Sequence, residues 1–267
     1  MKAFRYMTRV YKKVFPTLRV MTSLPRSGTH WLKFMISSLL GEHALERRLN
    51  RCDEALREAL ENEARYTLIY DHFDHDVHSG ILDPARDHRL RMVLLYRNPL
   101  DTLISNFHVR GMNGTLPCPE MSVIENIKYY IRHPEKNGRA GARCGEMDRM
   151  VCPSFREYVR RRVVDWRLSD KCFPVRYEDL VEDTSGQLGR VADHMKIRHS
   201  AGAIDRAIRL YNFNTLSDGR SPGEVDPSSH YRKGVPGEWR EVFDCEDLEI
   251  LRQQIGDYLG ILGYEVP

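Results

Sequence analysis

A chain of 267 residues is long enough to bury one substantial α/β core, and its balance of 41% hydrophobic and 30% charged residues excludes wholesale disorder. A formal net charge of +3 is too small to argue for nucleic acid or a membrane surface, although it suits an anionic small molecule. No run approaches the ~18 consecutive apolar residues of a membrane span, and the six cysteines (Cys52, Cys118, Cys144, Cys152, Cys172, Cys245) form no CxxC pair and no short Cys/His spacing, so they read as scattered thiols of a reduced, cytoplasmic protein rather than a disulfide framework or zinc site.

Residues 1–17 mix Lys and Arg with Tyr6, Met7, Val10, Tyr11 and Val14 at helical spacing. They read as a basic amphipathic helix over the domain edge, without the apolar core and cleavage site of a secretory signal. Leu18 to Ser23 is a short strand entering the core. After the turn PRSGTH, Trp31, Leu32, Phe34, Met35, Ile36, Leu39 and Leu40 fit a largely buried helix that ends near Gly41. Glu42 to Ala64 is charged and helix-prone. Tyr66 to Tyr70 is a second strand, running into Asp71, His72, Phe73, Asp74 and His75.

Leu90 to Tyr96 (LRMVLLY) is apolar almost throughout, as expected of a central parallel strand covered on both faces. Pro99 suits the first position of the next helix, and Asp101 complements the helix dipole in its first turn. Residues 111–152 are rich in Gly, Pro and polar residues, with one helical stretch around Ile124 to Ile131, and read as an insertion or lid outside the sheet. Ser154 to Leu168 is helical and Phe173 to Tyr177 is a strand. Helices follow over Gln187 to Lys196 and Ala201 to Asn212. Thr215 to Gly237 is a long irregular stretch, of the kind that is functional or mobile. Glu246 to Leu262 closes the chain as a helix. Strands alternating with helices predict a single α/β domain over 1–267, with a central, mainly parallel sheet flanked by helices.

Leu24 to Trp31 joins a strand to a helix through Gly28, a geometry made for an anion. The helix start offers unpaired N–H groups and a partial positive charge. Gly28 admits the phosphate close to the backbone, Ser27 and Thr29 add hydroxyls, and Arg26 adds a fixed cation. The GxxxxGK[ST] loop of triphosphatases is absent, so the nucleotide is expected to be handled without a metal. Arg97 stands at the C-terminal end of the best strand, where open α/β sheets bind ligands, with Ser105 two helical turns on. RKGVPGEW, Arg232 to Trp239, adds two cations and two glycines as a basic clamp. Three anion-binding elements exceed the needs of one phosphate and point to a nucleotide phosphorylated at two places.

LPRSGTHW, LLYRNPLDTLIS, RYEDL and YRKGVPGEW, in this order from Val20 to about Phe243, resemble the sulfotransferase family of the cytosolic type. The resemblance implies a P-loop-like architecture and a donor, 3′-phosphoadenosine 5′-phosphosulfate (PAPS), that leaves adenosine 3′,5′-bisphosphate (PAP) as product, with no metal. By that resemblance Arg26, Ser27, Gly28, Thr29 and His30 hold the 5′-phosphosulfate. Arg97 and Ser105 hold the 3′-phosphate, with Arg232, Lys233 and Gly234 closing over it in a mobile donor-clamping loop, 214–238. Trp31 stacks on adenine with Phe213 as second face, and Tyr177 hydrogen-bonds the base.

The family carries Lys-Thr-His after its second strand, and the matching Tyr70-Asp71-His72 makes His72 the expected catalytic base beside Arg26. His75 is its rival and His78 a weaker one. Tyr70 replaces the family lysine, Arg26 replaces the more usual loop lysine, and His30 replaces a second threonine. The expected reaction is sulfuryl transfer to a hydroxyl or amine of a small-molecule, lipid or glycan acceptor. The alternatives are a nucleotide-dependent kinase and a catalytically inactive PAP-binding protein. No nucleic-acid partner is expected, and the assembly is left open between monomer and homodimer.

Overall fold

Two strands set the frame. In the computed structural model, which describes residues 17–41, 46–48, 56, 57, 60, 68–133 and 154–267, β1 (Leu18–Ser23) lies parallel to the strand Leu90–Tyr96, with Leu18 opposite Leu90 and Ser23 opposite Leu95. Outside them lie β2 (Glu46–Arg48), β3 (Leu68–Asp71) and β5 (Phe173–Arg176), Leu90–Tyr96 itself being β4. The order is β2-β3-β1-β4-β5, and every neighbouring pair is parallel. All strand C-termini therefore share one edge, the edge at which such sheets bind ligands.

The helices are α1 (Thr29–Leu40), α2 (His75–His78), α3 (Pro99–Met112) and α4 (Val123–Arg132). Next, α5 runs as an α turn (Phe155–Val159), a π turn (Arg160–Val164) and a closing α turn (Asp165–Leu168). They are followed by α6 (Tyr177–Glu182), α7 (Thr184–His194), α8 (Ala201–Leu210), α9 (Phe213–Leu216), α10 (Trp239–Val242) and α11 (Cys245–Ile261).

Period-2 alternation along the strands divides the core in two. Leu18, Val20, Met92, Leu94 and Tyr96 face α3, α4, α5 and α11. Met21, Val93, Leu95 and Val175 face α1, α7 and α8. The near-continuous apolar run of β4 follows, because both of its faces are covered.

One expectation changes. Glu46–Arg48 lies inside the stretch read as helix-prone, yet it is an edge strand with Arg48 opposite Tyr70. Three residues of ladder with β3 outweigh a local propensity worth only tenths of a kcal/mol per residue, about 0.7 at most. The helix of the 111–152 segment is built into the scaffold: Ile127 and Ile131 are fully buried, and Lys128 and Arg132 bond Asp247 at the start of α11. The N-terminal basic helix (1–16) and residues 134–153 of the expected lid lie outside the described residues.

Leu94 is wholly buried at the centre of β4. Leu94→Ala should lower stability by roughly 3 kcal/mol, read as a lower denaturation midpoint at unchanged slope. A loss under about 1 kcal/mol would contradict close packing at this strand.

Candidate active site

β1 delivers the chain to the ligand edge and Leu24 prolongs it, its N–H donating to the Leu95 carbonyl at 3.1 Å before Ser27 N–H turns back to the Leu24 carbonyl at 3.2 Å. Arg26 then takes a left-handed φ of 71° and Gly28 one of 87°. The first is rare for a residue with a side chain and costs of order 1 kcal/mol. The second suits glycine, and a Cβ there would stand 3.0 Å from the Tyr177 ring.

This strained turn ends in a helix start without a cap. Gly28 makes no side-chain cap hydrogen bond and the first turn of α1 holds no acid. The other described helices of ten residues or more, α3, α4, α5, α7, α8 and α11, are capped by Asn98, Ser122, Ser154, Asp183, Ser200 and Asp244. The first amides of α1 and their share of the helix dipole thus lack an intrahelical acceptor, which is the physical requirement for holding an anion.

Three arginines converge on the turn. Arg26 donates from Nε to Ser105 Oγ at 3.2 Å and from Nη2 to the His230 carbonyl at 2.9 Å, with no carboxylate partner among the described residues. Burial, then the charges of Arg97 and Arg232, push it below the ordinary arginine range. Arg97 donates to Asp101 at 3.3 Å and to the Val235 carbonyl at 2.9 Å, its guanidinium lying 4.7 Å from the Tyr177 ring centre. Arg232 pairs with Glu238.

Ser27 Oγ, Trp31 Nε1, Arg97 Nε and Arg232 Nε are buried and have no hydrogen-bond partner among the described residues. Three are N–H donors and one is a hydroxyl, so together they ask for acceptor oxygens. They lie in three motifs separated in sequence. A polyanionic nucleotide fits this donor set.

The expected aromatic residues take distinct places. Trp31 meets Tyr177 edge-on, with ring centres 5.9 Å apart. Phe213 lies beneath Gly234, where a Cβ would come within 2.4 Å of the ring. Tyr177 donates its hydroxyl to the Gly234 carbonyl at 3.3 Å, so RYEDL and the basic clamp touch. Lys233 bonds Glu241 at 2.9 Å. Ser105, expected to hold the 3′-phosphate with Arg97, accepts from Arg26 Nε at 3.2 Å.

His72 follows β3 and lies beside the turn. Its Nδ1 is 2.9 Å from the Ser23 carbonyl and 3.0 Å from Ser23 Oγ, which in turn bonds Thr29 Oγ1 at 2.8 Å. A carbonyl only accepts, so Nδ1 carries the proton and Nε2 the lone pair of the neutral ring. The backbone after His72 is held twice: Phe73 N–H donates to Thr22 Oγ1 at 3.2 Å, and Trp166 Nε1 to the Phe73 carbonyl at 3.0 Å. His75 instead packs edge-on against Trp166, and its burial lowers its pKa. His78 is buried, its Nδ1 2.8 Å from the Asp74 carbonyl. His30 is solvent-exposed, 6.2 Å from Phe34. A cation near Tyr70, Lys33, lies 5.3 Å from its ring centre and is neutralised by Glu46 at 2.6 Å.

Ser23, Asp101 and Glu238 went unnoticed as site residues in the sequence. Asp101 alone had a signal, its place in the first turn of α3, and that read as a dipole complement.

The sulfotransferase domain family matches residues 18–263. Flavonol 3-sulfotransferase of Flaveria bidentis is 22% identical, the match covering 94% of this chain and 84% of that protein. Cytosolic sulfotransferase 15 of Arabidopsis thaliana is 23% identical, covering 94% and 75%. Among solved structures, mouse sulfotransferase SULT7A1 complexed with PAP superposes with a TM-score of 0.63 at 18% identity, over 93% of this chain and 89% of that one. Retinol dehydratase in complex with retinol and PAP gives 0.59 at 19% identity, over 91% and 81%.

Gly234 combines a φ of 71° with ring contact on Phe213. Gly234→Ala should unseat the clamp, seen as faster proteolytic cleavage within residues 217–237. Adding Phe213→Ala should restore part of the protection, because it removes the clash but not the backbone strain.

Proposed function

The chain belongs to the sulfotransferase domain family and is a sulfotransferase; we propose that it transfers a sulfuryl group from PAPS to a hydroxyl of a small-molecule acceptor, with His72 as base. The observation that carries this reading is the set of buried, unpartnered donors on Ser27, Trp31, Arg97 and Arg232 around an uncapped helix start. It supports a ligand with phosphates at two places. PAP in the similar solved structures supports the same donor.

In this reading PAPS supplies an activated sulfuryl group on its 5′-phosphate. The α1 amides, Ser27 and Thr29 hold that 5′ end, Arg97 and Arg232 hold the 3′-phosphate, and Trp31 and Tyr177 border the adenine. Asp71, His72 and Phe73 stand on the β3 side of the loop, so the acceptor arrives from there. As the acceptor oxygen forms its bond to sulfur, its proton passes to His72 Nε2. The bond from sulfur to the bridging phosphate oxygen breaks, and Arg26 neutralises the charge left on that oxygen. The Ser23 carbonyl keeps Nδ1 protonated throughout and stabilises the imidazolium that forms. His72 then returns its proton to solvent.

Lys33 is bound to Glu46, so Arg26 carries the charge neutralisation that the family shares with the lysine replaced here by Tyr70. Relatives named cytosolic sulfotransferases support a cytoplasmic enzyme. No described helix is long and apolar enough to cross a membrane.

The test is transfer of radiolabelled sulfate from PAPS to a panel of phenols, alcohols and amines. His72→Ala should cut turnover by roughly 10²–10⁴-fold while PAP affinity stays within about twofold of wild type. Undiminished turnover would remove His72 from the mechanism. Arg97→Ala should weaken PAP binding by about tenfold or more, the scale of a lost charge-assisted hydrogen bond. EDTA should leave transfer unchanged, since the loop lacks the Gly-Lys-Ser/Thr that presents a metal.

A further inference from the structure

We infer that Asp101 is a positioning residue that couples recognition of the donor's 3′-phosphate to the seating of the 217–237 loop. The inference rests on the PAPS reading of the site. The Asp101 side chain is 1% exposed, and a carboxylate so placed must be paired to stay charged. It occupies the first turn of α3, but the cap of that helix is already supplied by Asn98, which accepts from Leu100 N–H at 2.9 Å. Asp101 turns instead to the far end of the clamp. It accepts from Gly237 N–H at 2.7 Å, from Trp239 N–H at 3.1 Å and from Arg97 Nη2 at 3.3 Å.

These partners divide the loop into a fixed end and a working end. Trp239 is 5% exposed in the core beneath α3, so Gly237 to Trp239 is the fixed end. Arg232 to Gly234 is the working end, resting on Phe213 and the Tyr177 hydroxyl. Val235 and Pro236 join them, and the Val235 carbonyl is held by the same Arg97 nitrogen that bonds Asp101. Arg97 therefore touches both the anchor and the link, while its buried Nε has no partner among the described residues. A phosphate accepting from that Nε orients the guanidinium, and the guanidinium orients both Asp101 and Val235. Loop position and readiness for a 3′-phosphate are one arrangement, with the Asp101 carboxylate as its joint. A ligand lacking the 3′-phosphate leaves that joint unused.

The experiment is calorimetric titration of the full chain with PAP and with 5′-AMP, for wild type and Asp101→Asn. Asparagine keeps one backbone acceptor but loses the charge that holds Arg97. The preference for PAP over 5′-AMP should fall by about tenfold, or ~1.4 kcal/mol, while 5′-AMP affinity moves by no more than roughly twofold. A purely structural role would weaken both ligands equally and keep the ratio, which overturns the inference. A wild-type protein indifferent to the 3′-phosphate would instead overturn the reading of the site. A second measurement needs no variant: amide hydrogen exchange at Gly237 and Trp239 in wild type should slow more with PAP than with 5′-AMP. Equal slowing by both ligands counts against the coupling.

Discussion

The uncapped start of α1 is the constraint around which the rest of the molecule is arranged. Its first turn has no side-chain cap and no acid, and the turn before it holds Arg26 and Gly28 in left-handed conformations. Local interactions alone would relax such a turn. It persists because Leu24 is clamped to Leu95 in the sheet and α1 is buried along Leu32, Met35 and Ile36. Core packing thus supports a turn that local interactions by themselves would not hold.

The parallel sheet explains how residues far apart in sequence reach that helix start. β1 ends in the turn, β3 in His72, β4 in Arg97 and β5 in Tyr177, and all four ends lie on one edge. Ser23 joins two of these ends directly, through His72 on one side and Thr29 on the other. The group proposed to take the proton and the helix start proposed to hold the leaving phosphate therefore share a hydrogen-bond chain. Trp166, reaching from α5 to the Phe73 carbonyl, holds that arrangement from behind.

Charge is distributed unevenly among the three arginines, and the distribution matches their proposed tasks. Arg97 and Arg232 are each tied to a carboxylate, Asp101 and Glu238, and keep a donor in reserve. Among the described residues Arg26 is held by a hydroxyl and a carbonyl, between two other cations. Neutral tethers are easily exchanged, so Arg26 is the member best able to follow charge onto a leaving oxygen.

Much of this was legible in the sequence. The apolar run of β4, the Pro99 helix start and the glycine-bearing turn each carry a local physical signature, and the four motifs in order carried the family. Local signals could not decide pairing in space. Glu46–Arg48 became a strand because β3 offered an edge, and the Ile124 to Ile131 helix joined the core because α3 and α11 offered a surface. His72, His75 and His78 are the same residue type within seven positions, and only packing set one beside Ser23 and the others against Trp166 and Asp74. Asp101 looked like a dipole complement until the loop from Gly237 to Trp239 was seen folded onto it. The sequence by itself determined which groups were available and the order in which strands and helices present them, because propensity, periodicity and turn chemistry act over a few residues. Only the tertiary structure decided which of those groups meet, because hydrogen bonds and ion pairs depend on distances that a parallel sheet closes between residues tens to hundreds of positions apart.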